Sequence, residues 1–238
     1  MRKFGLVGGL SWLSTIDYYR ELNKEVNRHF NDNVNPRLCV VSLNQKEIHD
    51  LQKADDWQTI AGILIEAGKE LQSVGCEGLA FCANTPHKIY EDVQDHLDIP
   101  VLHIGDSVGK YIGKVGYRKV GLLGTRYTME GNFIRSRLED RYSVDVIVPE
   151  KEARLKVQSF LYQEMSRGIF SVEARDYFLG LIDDLKSKGA QAVVLGCTEF
   201  PILLDNVDAA LPKIDSAMCH VDDIGKFILS NSARWFRK

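Results

Sequence analysis

An α/β fold made of two similar lobes is what this sequence predicts, and three observations carry that reading. Short apolar runs alternate with amphipathic stretches along the whole chain. Two segments recur in the same order at nearly one spacing. In both copies, small and polar residues stand where an apolar run ends. Apolar runs of this length separated by helical periodicity indicate parallel strands buried on both faces. Strands are expected at residues 3–7, 38–43, 78–81, 101–104, 119–123, 144–148 and 192–195. Helical periodicity is clearest over residues 15–29, 57–74, 129–139, 151–166, 171–188 and 221–236.

The internal repeat sets the domain plan. KFGLVGG from Lys3 to Gly9 lies over KVGLLGT from Lys119 to Thr125 without a gap, an offset of 116 (119 minus 3). SVGCEGLAFCANTP from Ser73 to Pro86 lies over SKGAQAVVLGCTEF from Ser187 to Phe200, an offset of 114 (187 minus 73). The expected organisation is therefore a first lobe over residues 1–115 and a second over 116–212. Residues 213–238 form a C-terminal segment and helix packing back on the first lobe. Ligands of open α/β sheets sit outside the carboxyl ends of the strands, so the site is expected in the cleft between two pseudo-symmetric lobes, each a mostly parallel sheet flanked by helices.

Composition narrows the class. A formal net charge of -3 and the absence of a long Lys/Arg run give no field to condense on a phosphate backbone, so nucleic acid is not expected as a partner. No apolar run approaches membrane-helix length and no leader pattern opens the chain, so no membrane association and a cytoplasmic location are expected. The five cysteines are odd in number and lack CxxC or Cys/His ligand spacing, which points to free thiols and to no metal.

Two strand ends carry the candidate chemistry. The first copy opens with GLVGGLSWLST, Gly5 to Thr15, a strand, a glycine turn and a helix start with Ser14 or Thr15 as cap. The glycine spacing is not that of a dinucleotide fingerprint and no Lys-Ser/Thr follows, so neither pyrophosphate motif applies. The backbone amides around Gly9 and Ser11 suit a carboxylate. Trp12 either walls a pocket or packs in the core. In the second copy, Cys197 ends an apolar strand, followed by Thr198 and Glu199. There, free backbone amides and the local dipole favour a thiolate. The alternative is a buried structural thiol. The matching site in the first copy offers Asn84 and Thr85, an amide and a hydroxyl suited to a substrate carboxylate, or a turn that caps its own backbone.

These residues carry a resemblance. GGLSWLST (Gly8 to Thr15), NTPHK (Asn84 to Lys88), LGTRYTM (Leu123 to Met129) and LGCTEFP (Leu195 to Pro201), with His220 in the tail, resemble the aspartate/glutamate racemase superfamily over essentially the whole chain. The resemblance implies a homodimeric isomerase that needs no cofactor and no metal and takes a small amino acid as substrate. It implies one acid/base from each lobe, acting on opposite faces of the α-carbon.

The sequence departs from that pattern at one place. Relatives with two cysteines carry the first directly before Asn-Thr, where this chain has Ala83. The internal repeat agrees, since 197 minus 114 is 83. Cys82 is one residue early, and neighbouring strand residues point to opposite faces, so Cys82 is expected in the core. Cys197 is then the retained thiol acid/base. Gln52 and Arg167 match positions where relatives hold a side-chain carboxylate, although a solvated Arg167 reads equally well. Thr125, which matches Gly9, is a further pocket candidate. His87, His103 and His220 read as packing or orienting residues. A racemase of acidic or polar amino acids leads. A single-cysteine decarboxylase or lyase of the same superfamily and a non-catalytic amino acid binder remain open beside it.

Overall fold

The computed structural model describes residues 1–230. The chain divides into two compact units. The first comprises Met1–His103 together with the segment from His220 onward, and the second Ile104–Cys219.

In the first unit, β1 (Phe4–Gly8), β2 (Leu38–Ser42) and β3 (Leu79–Phe81) form a parallel sheet in the order β2-β1-β3. Pairing runs from Phe4 opposite Leu38 to Gly8 opposite Ser42, and from Gly5 opposite Leu79 to Val7 opposite Phe81. Both faces are covered, which is why β1 has no polar residue. Val7, Leu79 and Phe81 pack with Ile60, Leu64 and Leu71 of α3 (Trp57–Ser73). Phe4 makes an edge contact with Phe227 of α11 (Ser216–Leu229), at 5.6 Å between ring centroids. Tyr18, Leu22 and Val26 form the buried stripe of α1 (Trp12–Phe30).

In the second unit, β4 (Lys119–Gly124), β5 (Asp145–Ile147), β6 (Ala192–Gly196) and β7 (Lys213–Asp215) are parallel in the order β5-β4-β6-β7. Alternate residues of the central strands enter two separate cores. Leu123, Val193 and Leu195 pack with Val157, Phe178 and Ile182 of α8 (Lys151–Gln163) and α9 (Val172–Ser187). Val120, Leu122 and Val194 pack with Val108, Ile112 and Leu138 of α5 (Ile104–Val115) and α7 (Asn132–Tyr142). The sheet plan of the first unit is thus repeated in the second, as the internal repeat predicted.

Several boundaries differ from the sequence reading. Residues 101–104, expected as a strand, contribute one parallel bridge between Val101 and Leu79, and α5 begins at Ile104. The corresponding edge in the second unit is the full strand β7, which the sequence reading did not include. The division after residue 115 moves to Ile104, because Ile104, Val108 and Ile112 of α5 bury themselves in the second unit's core. The division before residue 213 moves to His220, because β7 pairs with β6. The expected helix at 129–139 is two helices, α6 (Arg126–Glu130) and α7, broken at the extended Gly131. Helices α2 (Gln45–Lys53), α4 (Tyr90–Gln94) and α5 were not anticipated, and the turn or helix expected after Cys197 is the short helix α10 (Glu199–Leu203). The last part of the helix expected at 221–236 lies outside the described residues. Among the described residues no helix is long and apolar enough to cross a membrane, and no three His, Cys, Asp or Glu side chains are grouped to hold a metal ion.

Gly9 pins the first turn. Its φ is +72°, and a Cβ there would lie 2.0 Å from the Leu43 carbonyl oxygen. Gly75 has φ +81° but open space around it. Gly75→Ala should therefore cost about 1 kcal/mol, the left-handed strain alone. Gly9→Ala should cost on the order of 4 kcal/mol or prevent folding, because backbone must move as well. Urea unfolding of the two variants checks this, and equal losses would contradict it.

Candidate active site

In each unit the candidate residues stand just past the carboxyl ends of the central strands. In the first unit the Cys82 N–H still donates to the Val7 carbonyl at 3.0 Å, after which the chain leaves the sheet. Cys82 is fully buried, as expected of a core residue, and burial pushes its thiol far up. Ala83 packs partly buried against the apolar cluster that contains Phe81 and Ile89. Asn84 is 5% exposed, and its Oδ1 is buried without a hydrogen-bond partner. An orphaned buried acceptor costs about 1–3 kcal/mol, so such an atom stands out as a place for a donor from a ligand. Thr85 opens a short 3-10 turn, Thr85–Ile89, with Pro86 next.

The glycine turn behaves differently from expectation. Helix α1 starts at Trp12 with Ser11 as its N-cap, and the Ser11 side chain makes no capping bond. Neither Ser14 nor Thr15 is the cap. Thr15 Oγ1 instead accepts from the Gly9 N–H at 2.9 Å and donates to the Ser11 carbonyl at 2.9 Å. The Gly9 amide is therefore committed within the turn and is not available to an anion. Trp12 is 60% exposed, which excludes the packed-core alternative. Gln52 is buried at the end of α2, with its carbonyl receiving the Asp55 N–H at 3.2 Å.

In the second unit Gly124 lies opposite Gly196, so Thr125 and Cys197 leave adjacent strands at the same level. Thr125 caps α6, accepting from the Thr128 N–H at 3.2 Å. The Cys197 Sγ donates to Glu199 Oε2 at 2.9 Å, and the Thr198 hydroxyl donates to the same oxygen at 3.1 Å. Burial, then the charge of Glu199 and its hydrogen bond, push the Cys197 thiol well above its ordinary range. The Glu199 and Thr198 backbone amides pull weakly the other way. The expectation of a thiolate is thereby corrected: α10 has five residues, and its contribution is outweighed by enclosure and by an adjacent carboxylate. The resting group is a thiol with a proton acceptor beside it.

Arg167 ends the 3-10 turn Met165–Arg167 and is exposed to solvent. Two further polar residues of the second unit carried no motif. Gln158 on α8 accepts from the Arg126 N–H at 2.7 Å. Tyr162, one turn further along α8, is bonded to Gln158, and burial first, then Tyr127, with Cys197 adding to it, push its phenol up. The i, i+4 spacing of Gln158 and Tyr162 was the available signal, but it is equally that of any amphipathic helix.

The family model for Asp/Glu/Hydantoin racemases matches residues 7–224. A solved structure assigned to the Asp/Glu racemases from Yersinia pestis is 37% identical, with TM-score 0.90, covering 96% of this chain and 100% of that one. A solved aspartate racemase homologue from Pyrococcus horikoshii is 33% identical, with TM-score 0.81, covering 96% of this chain and 99% of that one. Among curated proteins, a broad-specificity amino-acid racemase of Bacillus subtilis is 25% identical over 156 residues, 66% of each chain. A glutamate racemase of Persephonella marina is 26% identical over 162 residues; the match spans 66% of this chain and 60% of that protein's length. Two parallel α/β units that each end their central strands in a polar turn define a racemase-type scaffold. The chain belongs to the Asp/Glu/Hydantoin racemase family.

Glu199 should govern how readily Cys197 ionises. Replacing it by glutamine removes the charge that raises the thiol pKa, so Glu199→Gln should be alkylated by iodoacetamide at Cys197 several-fold faster than wild type at pH ~8. Peptide mass spectrometry reads the site. An unchanged or slower rate would contradict the arrangement.

Proposed function

We propose that the protein is a cofactor-independent amino acid racemase acting on aspartate, glutamate or a related acidic or polar amino acid. The observation that carries this reading is the Cys197–Glu199 pair, a thiol held 2.9 Å from a carboxylate at the end of a buried strand. In this reading Glu199 takes the thiol proton as substrate binds, and the Cys197 thiolate then removes the α-proton. The electron pair left on the α-carbon is stabilised by donors around the adjacent carboxylate. A proton delivered from water to the opposite face of that carbon completes inversion; Cys197 is left as the thiol by the α-proton it took, and the Glu199 proton neutralises the hydroxide so formed. The substrate ammonium donates to Asn84 Oδ1, which supplies the partner that this buried atom lacks. Thr85, Thr125 and Thr198 offer hydroxyls to the carboxylates, and Ser11, Trp12 and Gln52 border the site. The Gly9 amide is committed to Thr15 within its turn, and the exposed Arg167 stays a candidate for the side-chain carboxylate.

Ala83 stands where a second acid/base would act and has no proton to exchange. Reprotonation on that side then falls to water or to the Thr85 hydroxyl, which makes inversion slow relative to α-proton exchange. The same observation favours one alternative, a single-thiol decarboxylase or lyase, in which Cys197 protonates a carbanion formed by loss of carboxylate. The family resemblance supports a cytoplasmic homodimer, for which light scattering of the purified protein is the check.

Solvent deuterium incorporation at the α-carbon of L- and D-aspartate and glutamate, followed by proton NMR, tests the reading. Cys197→Ser should lower exchange by about 10²–10⁴-fold, and Ala83→Cys should raise the rate of inversion. If wild type binds these amino acids yet exchanges none of them, the racemase reading fails and decarboxylation of malonates becomes the better account.

A further inference from the structure

Directly behind Asn84 lies a cluster of three buried histidines that the proposed chemistry does not use. His87, His103 and His220 are 1%, 4% and 0% exposed. The His87 ring is 4.6 Å from His103 and 5.7 Å from His220, edge to face, and Phe81 and Tyr90 close the cluster at 5.2 Å from His87 and 4.8 Å from His103.

A carbonyl partner fixes the proton on His220. His220 Nε2 meets the Leu102 carbonyl at 3.0 Å, and a carbonyl only accepts, so Nε2 carries hydrogen. In the neutral ring Nδ1 is then the acceptor and receives the Tyr18 hydroxyl at 2.9 Å. The His87 ring meets three backbone carbonyls, that of Asn84 through Nδ1 at 3.1 Å and those of Leu102 and Ala83, and since the neutral ring carries one hydrogen, its placement on Nδ1 toward Asn84 is part of the inference below. The Asn84 carbonyl also receives the His87 backbone N–H at 3.1 Å. Burial, then the neighbouring His220, hold the His87 pKa down to about 3, so the ring is neutral in use and cannot act as an acid.

We infer that His87 is a positioning residue: its Nδ1–H clamps the Asn84 carbonyl and thereby aims the Asn84 carboxamide oxygen at the substrate ammonium. The reason lies in where the bond falls. Asn84 is the last residue before the 3-10 turn and has left the sheet, so no strand partner fixes its backbone. Its carbonyl is tied instead to the His87 ring, which is wedged between Phe81, His103 and His220. Tyr18 and Leu102, through His220, anchor that wedge to α1 and to the segment preceding α5. The inference rests on Asn84 being a ligand contact, as proposed above.

The test uses the full chain and four variants. An asparagine at 87 can place its amide N–H where Nδ1 stands, whereas glutamine reaches the Nε2 position and phenylalanine supplies only bulk. Isothermal titration with L-glutamate and L-aspartate should give about tenfold weaker binding for His87→Phe and His87→Gln. Asn84→Ala should lose a similar amount, each corresponding to one lost hydrogen bond. His87→Asn should stay within about threefold of wild type. A readout without ligand accompanies it: the Asn84 side-chain amide resonances should shift in His87→Phe and His87→Gln and return toward wild type in His87→Asn. If Asn84→Ala weakens binding while His87→Phe and His87→Gln do not, the cluster is packing alone and the inference is overturned. If Asn84→Ala binds as wild type, the site reading fails; unmoved Asn84 resonances in the phenylalanine and glutamine variants would then overturn the clamp as well.

Discussion

The site of the second unit depends on how closely a threonine can approach two strand ends. Gly124 and Gly196 face each other across β4 and β6, and a Cβ on either would meet Thr128 Cγ2, at 2.7 Å and 3.0 Å. Because neither glycine has a side chain, Thr128 lies fully buried against both ends, and its backbone N–H donates to the Thr125 cap. Thr125 and Cys197 leave the sheet from that point. The first unit repeats the device: a Cβ on Gly8 would meet Thr15 Cγ2 at 2.4 Å, and the Thr15 hydroxyl closes the turn onto Gly9. In both units a glycine at the strand end admits a threonine from the following helix, and the polar turn is built on that close approach.

Electrostatics distinguish the two turns. The second contains an ionisable pair whose proton lies on sulfur at rest, since enclosure and the Glu199 charge both favour the neutral thiol. The first contains no exchangeable proton at the matching position. Cys82, the nearest thiol, is enclosed in the core and held protonated by burial, and His87 is held neutral. What the first turn does offer is an unpartnered acceptor on Asn84.

Much of this was legible in the sequence, and for identifiable reasons. Strands buried on both faces read as plain apolar runs, and the offsets of 116 and 114 residues aligned Ala83 with Cys197 before any geometry was known. Cys82 was placed in the core by strand alternation alone. Helix α5 was missed although Ile104, Val108 and Ile112 share one face, because glycines at 105, 109 and 113 break its propensity. Gly109 is there for packing: a Cβ would fall 2.3 Å from the Tyr142 ring. The protonation state of Cys197 was not legible, since the opposing effects of helix start and carboxylate depend on distances of a few ångströms. Tyr162 and Gln158 were missed for a similar reason, as nothing local marks which residues of an amphipathic helix face a site.

The central claim is that one thiol, Cys197, serves one face of the substrate carbon. The most direct measurement compares two rates in deuterium oxide from a single enantiomer: deuterium appearing in recovered starting amino acid, and formation of its mirror image by chiral chromatography. The account predicts deuteration with retention that outpaces inversion. Recovered starting material free of deuterium while the mirror image accumulates would contradict it, because that result requires an efficient second acid/base on the opposite face of the carbon.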